Sequence, residues 1–239
     1  MHYSDQTQRY LSGETFSNGA LITVDKEASP LVNRDDFLLQ VTKGKKVLHL
    51  GFVDHLPLID EKIRQGKWLH KKLIDNTTLC YGIDINQEGI EYIQKEHHID
   101  NLYTLDVILD TLPQALLDVK FDYLLIPDVI EHIGNPVAFL EVIREKFKQN
   151  TSKIILTTPN AFRWNNFLNV FKHRELINSD HRFWFTPYTL SKIVTDAGYK
   201  IDDLGYFEHG RLSRRQVIRR YLLNNYPLLR DTLIMEIEL

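Results

Sequence analysis

Short apolar runs alternate with helical patterns along most of the chain. Five of these runs predict buried parallel strands, at Lys45–Gly51, Thr77–Ile85, Asn101–Ile108, Phe121–Asp128 and Ser152–Asn160. The segments between them carry apolar residues at helical spacing and are joined to the strands by short connections. This alternation predicts an α/β fold with a doubly wound, mostly parallel sheet.

Five segments have helical periodicity. They are Leu56–Leu73, Glu88–Glu96, a short turn after Pro113, Pro136–Phe147 and Thr186–Gly198. We expect Gly66 to divide the first helix in two and Asp54 to cap it. After the last of them come a strand at Lys200–Phe207, a basic helix and a strand at the C-terminus, which together predict a hairpin-like pair at the sheet edge.

The two ends of this pattern suggest a domain organisation. Residues 1–42 have little periodicity and are interpreted as an N-terminal arm or lid. Residues 43–239 then form one domain, with an irregular, aromatic-rich insert at about 161–186 that we expect to face the acceptor. A chain of 239 residues suits a single α/β core with such additions.

Composition narrows the class of protein. The formal net charge of -3 gives no reason to expect nucleic acid as a partner. No apolar run approaches the roughly 18 residues of a membrane span, and the first residues lack the apolar stretch of a signal peptide. Cys80 is the only cysteine, so no internal disulfide and no cysteine zinc site can form. We therefore expect a cytoplasmic protein, whose oligomeric state the sequence leaves open.

Aspartates stand at or beside the ends of the first four predicted strands. They are Asp54, Asp84, Asp106 and Asp128. In an open parallel sheet, ligands bind beyond the carboxyl ends of the strands, so these side chains are expected to meet at one edge. One such carboxylate is usually a cap or turn residue, but four together predict a site for a cationic or hydroxyl-rich ligand.

A family resemblance rests on the motifs in order: KVLHLG, YGIDI, YTLDV, FDYLLIPDVIEHIGNP, IILTTPN and HRFWFTPYTLSKIVTDAGY. Their order and spacing resemble those of class I S-adenosylmethionine (SAM)-dependent methyltransferases. The resemblance is nearest to a branch that methylates small molecules or serves polysaccharide biosynthesis, similar to the ubiquinone-biosynthesis O-methyltransferases. It implies a Rossmann-like, seven-stranded sheet in the order 3-2-1-4-5-7-6, with strand 7 antiparallel.

The same resemblance implies which residues bind SAM. Gly51 and Phe52 match the loop where backbone approaches the cofactor, and Asp84 matches the acid that holds the ribose hydroxyls. The set continues with Ile85 against the adenine, Asp106 at its amino group, Val107 on its ring face and Asp128 beside the methionine moiety.

The glycine-rich loop departs from the family pattern. His49 stands where the family has an acid, and Val53 and His55 stand where it has glycines. Because a β-branched valine resists positive φ, the loop must follow another path. We expect Asp54 to contact the amino group of the cofactor in place of the missing acid. The lost glycines also leave open a methyltransferase fold that binds partners without methylating.

The acceptor side is expected to contain two histidines. His132 and His181 are the candidate catalytic bases, since histidine titrates near neutral pH. Asp128, Glu131 and His132 resemble an E-x-x-E-H motif that binds a divalent metal in some methyltransferases. No metal is assigned here, because hard cations prefer more oxygen ligands, but a divalent cation remains an alternative.

Two further groups have both a structural and a functional interpretation. Aromatic residues of the insert, such as Trp164 and Trp184, either wall an acceptor pocket or cover the sheet edge. Arg211, Arg215 and Arg219, with Arg214 beside them, are either a solvated helix face or a contact for an anionic acceptor.

The resulting prediction is SAM-dependent methyl transfer to an oxygen, or less readily a nitrogen, of a small-molecule or carbohydrate acceptor. A nicotinamide-dependent oxidoreductase is a rival, because an acid after the second strand also holds ribose there. The absence of a G-x-G-x-x-G motif argues against it.

Overall fold

A computed structural model of the chain describes residues 3–23, 31–213 and 215–239. Seven strands form one sheet in the order β3-β2-β1-β4-β5-β7-β6, as the family resemblance implied. The strands are β1 (Lys46–Leu50), β2 (Leu79–Asp84), β3 (Leu102–Thr104), β4 (Phe121–Pro127), β5 (Thr151–Pro159), β6 (Lys200–Phe207) and β7 (Thr232–Glu238). The five strands from β1 to β5 pair in parallel, and β7 is antiparallel to both β5 and β6.

The register of the parallel strands brings their carboxyl ends to one edge. Leu50 lies beside Ile83, and Asp84 lies beside Thr104. On the other side of β1, Pro127 lies beside Thr157. The residues that follow these strand ends therefore share one edge of the sheet, where ligands of open parallel sheets bind.

Ten α-helices are present in the described ranges. They are α1 (Asp5–Leu11), α2 (Arg34–Thr42), α3 (Leu56–Arg64), α4 (Leu69–Asn76), α5 (Gln87–His97), α6 (Gln114–Leu117), α7 (Pro136–Phe147), α8 (Trp164–Val170), α9 (Pro187–Asp196) and α10 (Val217–Asn225). Gly66, at φ +62°, separates α3 from α4 as predicted. None of the helices in these ranges is both long and apolar enough to cross a membrane.

Successive residues of the central strands point to opposite faces of the sheet and build two cores. Leu48 and Leu124 belong to the larger core, which α7 and α9 cover, whereas Val47 and Leu125 belong to the core beneath α2 and α4. Leu38 of α2 is fully buried in that second core. On the opposite face, Tyr3, which precedes α1, is joined to α9 by a 3.0 Å hydrogen bond between its hydroxyl and that of Ser191.

The predicted N-terminal arm thus contains two helices that pack on the sheet domain. The lid over the cofactor that was expected of residues 1–42 stays a prediction, and Arg214 of the predicted arginine row lies outside the described residues.

Several predicted element boundaries are wrong. The strand expected at Asn101–Ile108 ends at Thr104, because the Asp106 carboxylate accepts the N–H groups of Ile108 and Leu109 and turns the chain. His55, not Asp54, precedes the first residue of α3, and no side chain caps that helix. The basic helix begins only at Val217, so Arg211 and Arg215 are not on it.

Candidate functional site

The chain leaves β1 through a left-handed glycine. Gly51 has φ +74°, and a Cβ on it would lie 2.4 Å from a methyl carbon of Val129. Neither Val53 nor His55 has a positive φ, so the loop does follow another path from the one that a glycine-rich sequence permits. Glycine is therefore required at position 51 for two separate steric reasons.

Asp84 fixes the same loop from the end of β2. Its carboxylate accepts the N–H of Val53 at 2.8 Å and the N–H of Asn86 at 3.0 Å. Burial raises the pKa of Asp84, and the hydrogen bond from Val53 opposes that rise. A partly buried carboxylate with spare lone pairs at the end of β2 can accept hydrogen bonds from a hydroxyl-bearing ligand.

Exposed apolar side chains lie next to Asp84 and Asp106. Ile85 is 74% exposed, and Ile108 and Leu109 are 46% and 80% exposed. Val107, expected on a ring face, is instead buried in the larger core. Asp106 follows β3 and closes the turn that presents Ile108. The apolar surface at these two strand ends is suited to a flat ring, and Ile108 and Leu109 were not identified from the sequence.

The side chains of the loop after β1 are either buried away from this surface or paired with other residues. Phe52 is buried and packs with Ile59 and Trp68, while the Trp68 indole donates to the Phe52 carbonyl at 3.2 Å. Only the backbone of Phe52 can thus serve the site. Asp54 forms an ion pair with Lys62. The contact between Asp54 and a cofactor amino group stays a prediction.

Behind the loop, His49 faces His70 in a fully buried contact. Their Nδ1 atoms are 3.1 Å apart, so one ring donates and the other accepts. Burial lowers the pKa of His49 to about 3 and that of His70 well below its usual value. The histidine that replaces the family's acid is therefore a neutral member of the core.

Asp128 ends β4 in a strained, well-anchored conformation. It has φ +52°, forms an ion pair with the buried Arg34 of α2, and accepts the Thr157 hydroxyl at 2.8 Å. Burial alone would lower the pKa of Arg34, but the charges of Asp128 and Asp35 raise it. Arg34 was not identified from the sequence, where it resembles any basic residue in a first helical turn.

A pocket of about 380 Å³ opens directly beyond Asp128. Besides Asp128 its lining residues are Glu131, His132, Pro159, Arg163, Asn165, Asn178, His181, His209, Asp231 and Thr232. The predicted insert therefore contributes polar side chains to this pocket. Trp164 and Trp184, for which the sequence left open a pocket wall or a cover of the sheet edge, are not among these lining residues: Arg163 stacks on Trp184 at 4.7 Å and Trp164 packs against Phe167.

Three pocket residues form a compact cluster of potential ligands. Glu131, His132 and His181 each offer one atom within 4.8 Å of the others. The His132 and His181 rings meet edge to face with centroids 4.7 Å apart, and the Arg182 N–H holds the segment by donating to the Glu131 carbonyl at 2.8 Å. A 3₁₀ turn (Ile130–His132) presents Glu131 and His132 to the pocket.

The cluster is buried and incompletely hydrogen-bonded. Glu131 is fully buried; its Oε2 accepts the Thr158 hydroxyl at 3.0 Å. Among the described residues its Oε1 has no hydrogen-bond partner, and neither has Nδ1 of His181. Burial, aided by the charge of Asp128, raises the pKa of Glu131 to about 8, while burial lowers that of His181. The cluster can exchange a proton near neutral pH or accept a cation.

Comparison with known proteins agrees with this geometry. The chain is similar in structure to the small RNA methyltransferase HEN1, with 17% identity and a TM-score of 0.57, over 92% of this chain and 27% of that one. The chain thus spans about a quarter of the length of HEN1. It is also similar to the magnesium protoporphyrin IX methyltransferase of Synechocystis PCC 6803, solved with bound SAH, with 17% identity, a TM-score of 0.51, and coverage of 85% and 81%. At such identities the likeness shows the fold alone.

Sequence comparison supplies the family. No curated protein matches the chain. Residues 64–204, more than half of the chain, match the family model described as a methyltransferase domain. The chain therefore belongs to the methyltransferase-domain family of enzymes and has the fold of SAM-dependent methyltransferases.

Proposed function

We propose that the chain transfers a methyl group from SAM to a hydroxyl oxygen of a small-molecule or carbohydrate acceptor. The observation that carries the proposal is the position of the pocket. It lies immediately beyond the β4 end, and the pocket holds Glu131, His132 and His181 beside Asp128. The family assignment favours methyl transfer over the nicotinamide oxidoreductase considered above.

The cofactor surface fits SAM in its chemistry. Exposed Ile85 and Ile108 would flank the adenine, Asp84 would accept the ribose hydroxyls, and Asp106 would face the amino group of the base. Backbone at Gly51 and Phe52 would line the path to the methionine end. Asp54 would exchange Lys62 for the cofactor amino group, and Asp128 would lie nearest the sulfonium. Bound there, SAM supplies an electrophilic methyl group.

The chain's own residues would orient the acceptor and take its proton. His181 is suited to accept that proton, because burial lowers its pKa and keeps the imidazole neutral near pH 7. His132 is the second candidate, since its ring lies against that of His181. Alignment of the hydroxyl within the pocket is expected to contribute more than the base.

The same cluster fits a divalent cation, which we propose as the alternative to base catalysis, with His181 as a ligand instead of the proton acceptor. Glu131 Oε1 has no hydrogen-bond partner in the described ranges and lies 3.9 Å from Nε2 of His181, a separation that one ion between the two atoms would fit. A cation would supply positive charge that favours ionisation of a nearby hydroxyl. Because Glu131 has a raised pKa, proton release must accompany binding, so affinity is expected to rise with pH up to about 8.

Calorimetric titration of the full chain with Mn²⁺ at pH 6 and pH 8 tests this part. We expect binding that is tighter at pH 8 and lost in His181→Ala. The matched control is His173→Asn, which changes an exposed histidine in a backbone conformation that asparagine tolerates. Equal binding by His181→Ala and the control would show that the cluster is not the metal site.

Transfer itself is tested with methyl-labelled SAM and a panel of acceptors. Nucleotide sugars and glycans represent the proposed class, while a short RNA and a porphyrin represent the acceptors of the two structural neighbours. Label on a carbohydrate hydroxyl, lost in His181→Ala, supports the proposal. Label only on RNA or porphyrin would contradict the acceptor class.

One alternative is a fold that binds SAM without transferring the methyl group. It is favoured by the partners that the carboxylates already have within the protein: Asp84 accepts two backbone N–H groups, and Asp54 pairs with Lys62. SAH binding without transfer to any acceptor of the panel would support this alternative.

A further inference from the structure

The segment between β6 and β7 has an unusual charge pattern. From His209 to Arg230 it contains six arginines and no acidic residue, in a chain of net charge -3. Three of these arginines are used structurally: Arg211 pairs with Asp36, Arg219 pairs with Glu208 and Asp231, and Arg230 is buried. Arg215 and Arg220 are exposed and form no ion pair with any described carboxylate. Arg215 and Arg220 therefore give the segment an exposed positive charge that no described carboxylate neutralises.

Helix α10 in this segment turns apolar side chains to the outside. Val217, Ile218 and Tyr221 are 66%, 78% and 66% exposed, and their helical spacing places them on one face. Leu223 is fully buried and anchors the opposite face. The protein thus holds a short helix whose outer face is apolar, with the exposed Arg220 on the helix and Arg215 just before it, a combination typical of a helix that lies at a membrane surface.

We propose that α10 binds the surface of an anionic lipid bilayer, with Val217, Ile218 and Tyr221 entering the interface and Arg215 and Arg220 meeting lipid phosphates. Arginine binds phosphate oxygens through paired N–H donors. His209, the first residue of the segment, and Asp231, the residue that follows it, line the pocket described above. Membrane binding through α10 therefore anchors the same segment that starts and ends beside the pocket, and it does not depend on whether the chain transfers methyl groups.

Other partners explain less of the pattern. A nucleic acid would use the arginines but leaves two aliphatic side chains, Val217 and Ile218, without a role, and the whole chain is acidic in balance. A symmetric contact with a second copy would bring the uncompensated arginines of one copy towards those of the other. A bilayer satisfies both the apolar and the basic groups.

Flotation of the full chain with vesicles tests the proposal. We compare vesicles of phosphatidylcholine alone with vesicles containing phosphatidylcholine and phosphatidylglycerol in a 7:3 ratio (about 30% anionic lipid, a charge-rich surface). We expect flotation with the anionic vesicles only. Arg215→Gln with Arg220→Gln is expected to lower the partition coefficient about 30-fold, at roughly 1 kcal/mol for each charge. Val217→Ser with Ile218→Ser is expected to lower it about tenfold.

The controls change similar surface residues elsewhere. Leu117→Ser removes an exposed apolar side chain from α6, and Arg64→Gln removes an exposed charge from α3. Both are expected to float like the unchanged chain, and circular dichroism checks that every variant is folded.

Three results would overturn the proposal. The first is no flotation, or flotation that the α10 variants leave unchanged. The second is binding of a fluorescent single-stranded RNA that the arginine variant loses and the apolar variant keeps, with no lipid binding. The third is a concentration-dependent dimer that Val217→Ser with Ile218→Ser abolishes, again with no lipid binding.

Discussion

At the scale of single residues, Gly51 illustrates how the backbone and its surroundings jointly determine one side chain. Its φ of +74° excludes most residues, and Val129 fills the space where a Cβ would lie. Gly44 has a similar φ of +68° but has no atom within 4 Å of a hypothetical Cβ. A side chain at position 44 would therefore cost only the energy of the left-handed conformation, whereas a side chain at position 51 would add a steric clash.

We predict that Gly51→Ala destabilises the chain more than Gly44→Ala. The control is expected to lose about 1–2 kcal/mol of unfolding free energy, the cost of a left-handed alanine. Gly51→Ala adds overlap with Val129, so its loss is expected to be larger by on the order of 1–3 kcal/mol. Urea unfolding measures both, and equal losses would contradict the steric argument.

Glu131 predicts an unusual dependence of stability on pH. Its pKa is about 8 in the folded chain and near 4.5 in the unfolded chain, so between these values the unfolded state releases the proton first. Glu131 therefore destabilises the metal-free fold as pH rises from 4.5 to 8, and the effect is constant above that range.

The predicted consequence is that Glu131→Gln changes stability in a pH-dependent way. Relative to the unchanged chain, the variant is expected to gain stability steadily from pH 5 to pH 8 in the presence of a chelator, because glutamine has no proton to lose. Chemical unfolding of both proteins at several pH values measures the difference. A difference that does not change with pH would show that Glu131 titrates normally.

Some residues and contacts of the site could be predicted from the sequence, and others could not. Gly51, Asp84 and Asp106 follow strands, so the alternation of apolar runs was sufficient to bring them to one edge. Arg34 could not be assigned as the partner of Asp128, because that contact joins two elements distant in sequence. The contact between His49 and His70 could not be predicted either, because it also joins two different elements.

At the scale of elements, α2 is part of the site as well as the core. Its first residue, Arg34, is buried between Asp35 and Asp128, while Leu38 packs under the sheet. The helix thereby ties the N-terminal part of the chain to the end of β4. This connection also explains how Asp128 retains a φ of +52°, which an isolated aspartate seldom adopts.

We predict that Arg34→Met destabilises the fold by on the order of 3 kcal/mol, because it leaves Asp128 without its counter-charge. Adding Asp128→Asn should recover a large part of that loss, since an uncharged amide tolerates the apolar neighbour. Thermal unfolding of the two single variants and the double variant measures the coupling. Strictly additive losses would contradict a direct pair.

Element boundaries were predictable where local chemistry sets them. Pro136 and Pro187 begin α7 and α9 as expected, and the capping box of Thr186 with Thr189 fixes the start of α9. The end of β3 was not predictable, because the apolar run continues to Ile108 while Asp106 turns the chain by accepting two N–H groups. A side-chain hydrogen bond there overrides the hydrophobic pattern.

At the scale of the whole molecule, the strand order places three surfaces around one edge of the sheet. The apolar and acidic surface lies at the ends of β2 and β3, the polar pocket lies beyond β4 and β5, and the segment that contains α10 starts and ends beside that pocket. Such a division suits an enzyme that holds one reactant at the sheet edge and receives another beside it. The order itself followed from the family resemblance, whereas the position of α10 required the structure.

The central claim is that the ends of β2 and β3 hold an adenosine, and calorimetric titration with SAH tests it most directly. Ile85→Asp is the informative variant, because this side chain is exposed and its loss should not affect folding. Leu117→Ser is the matched control. We expect SAH to bind the unchanged chain and the control equally, and Ile85→Asp at least about tenfold more weakly, since a charge would face the ring. No binding to the unchanged chain, or equal binding to all three proteins, would contradict the account.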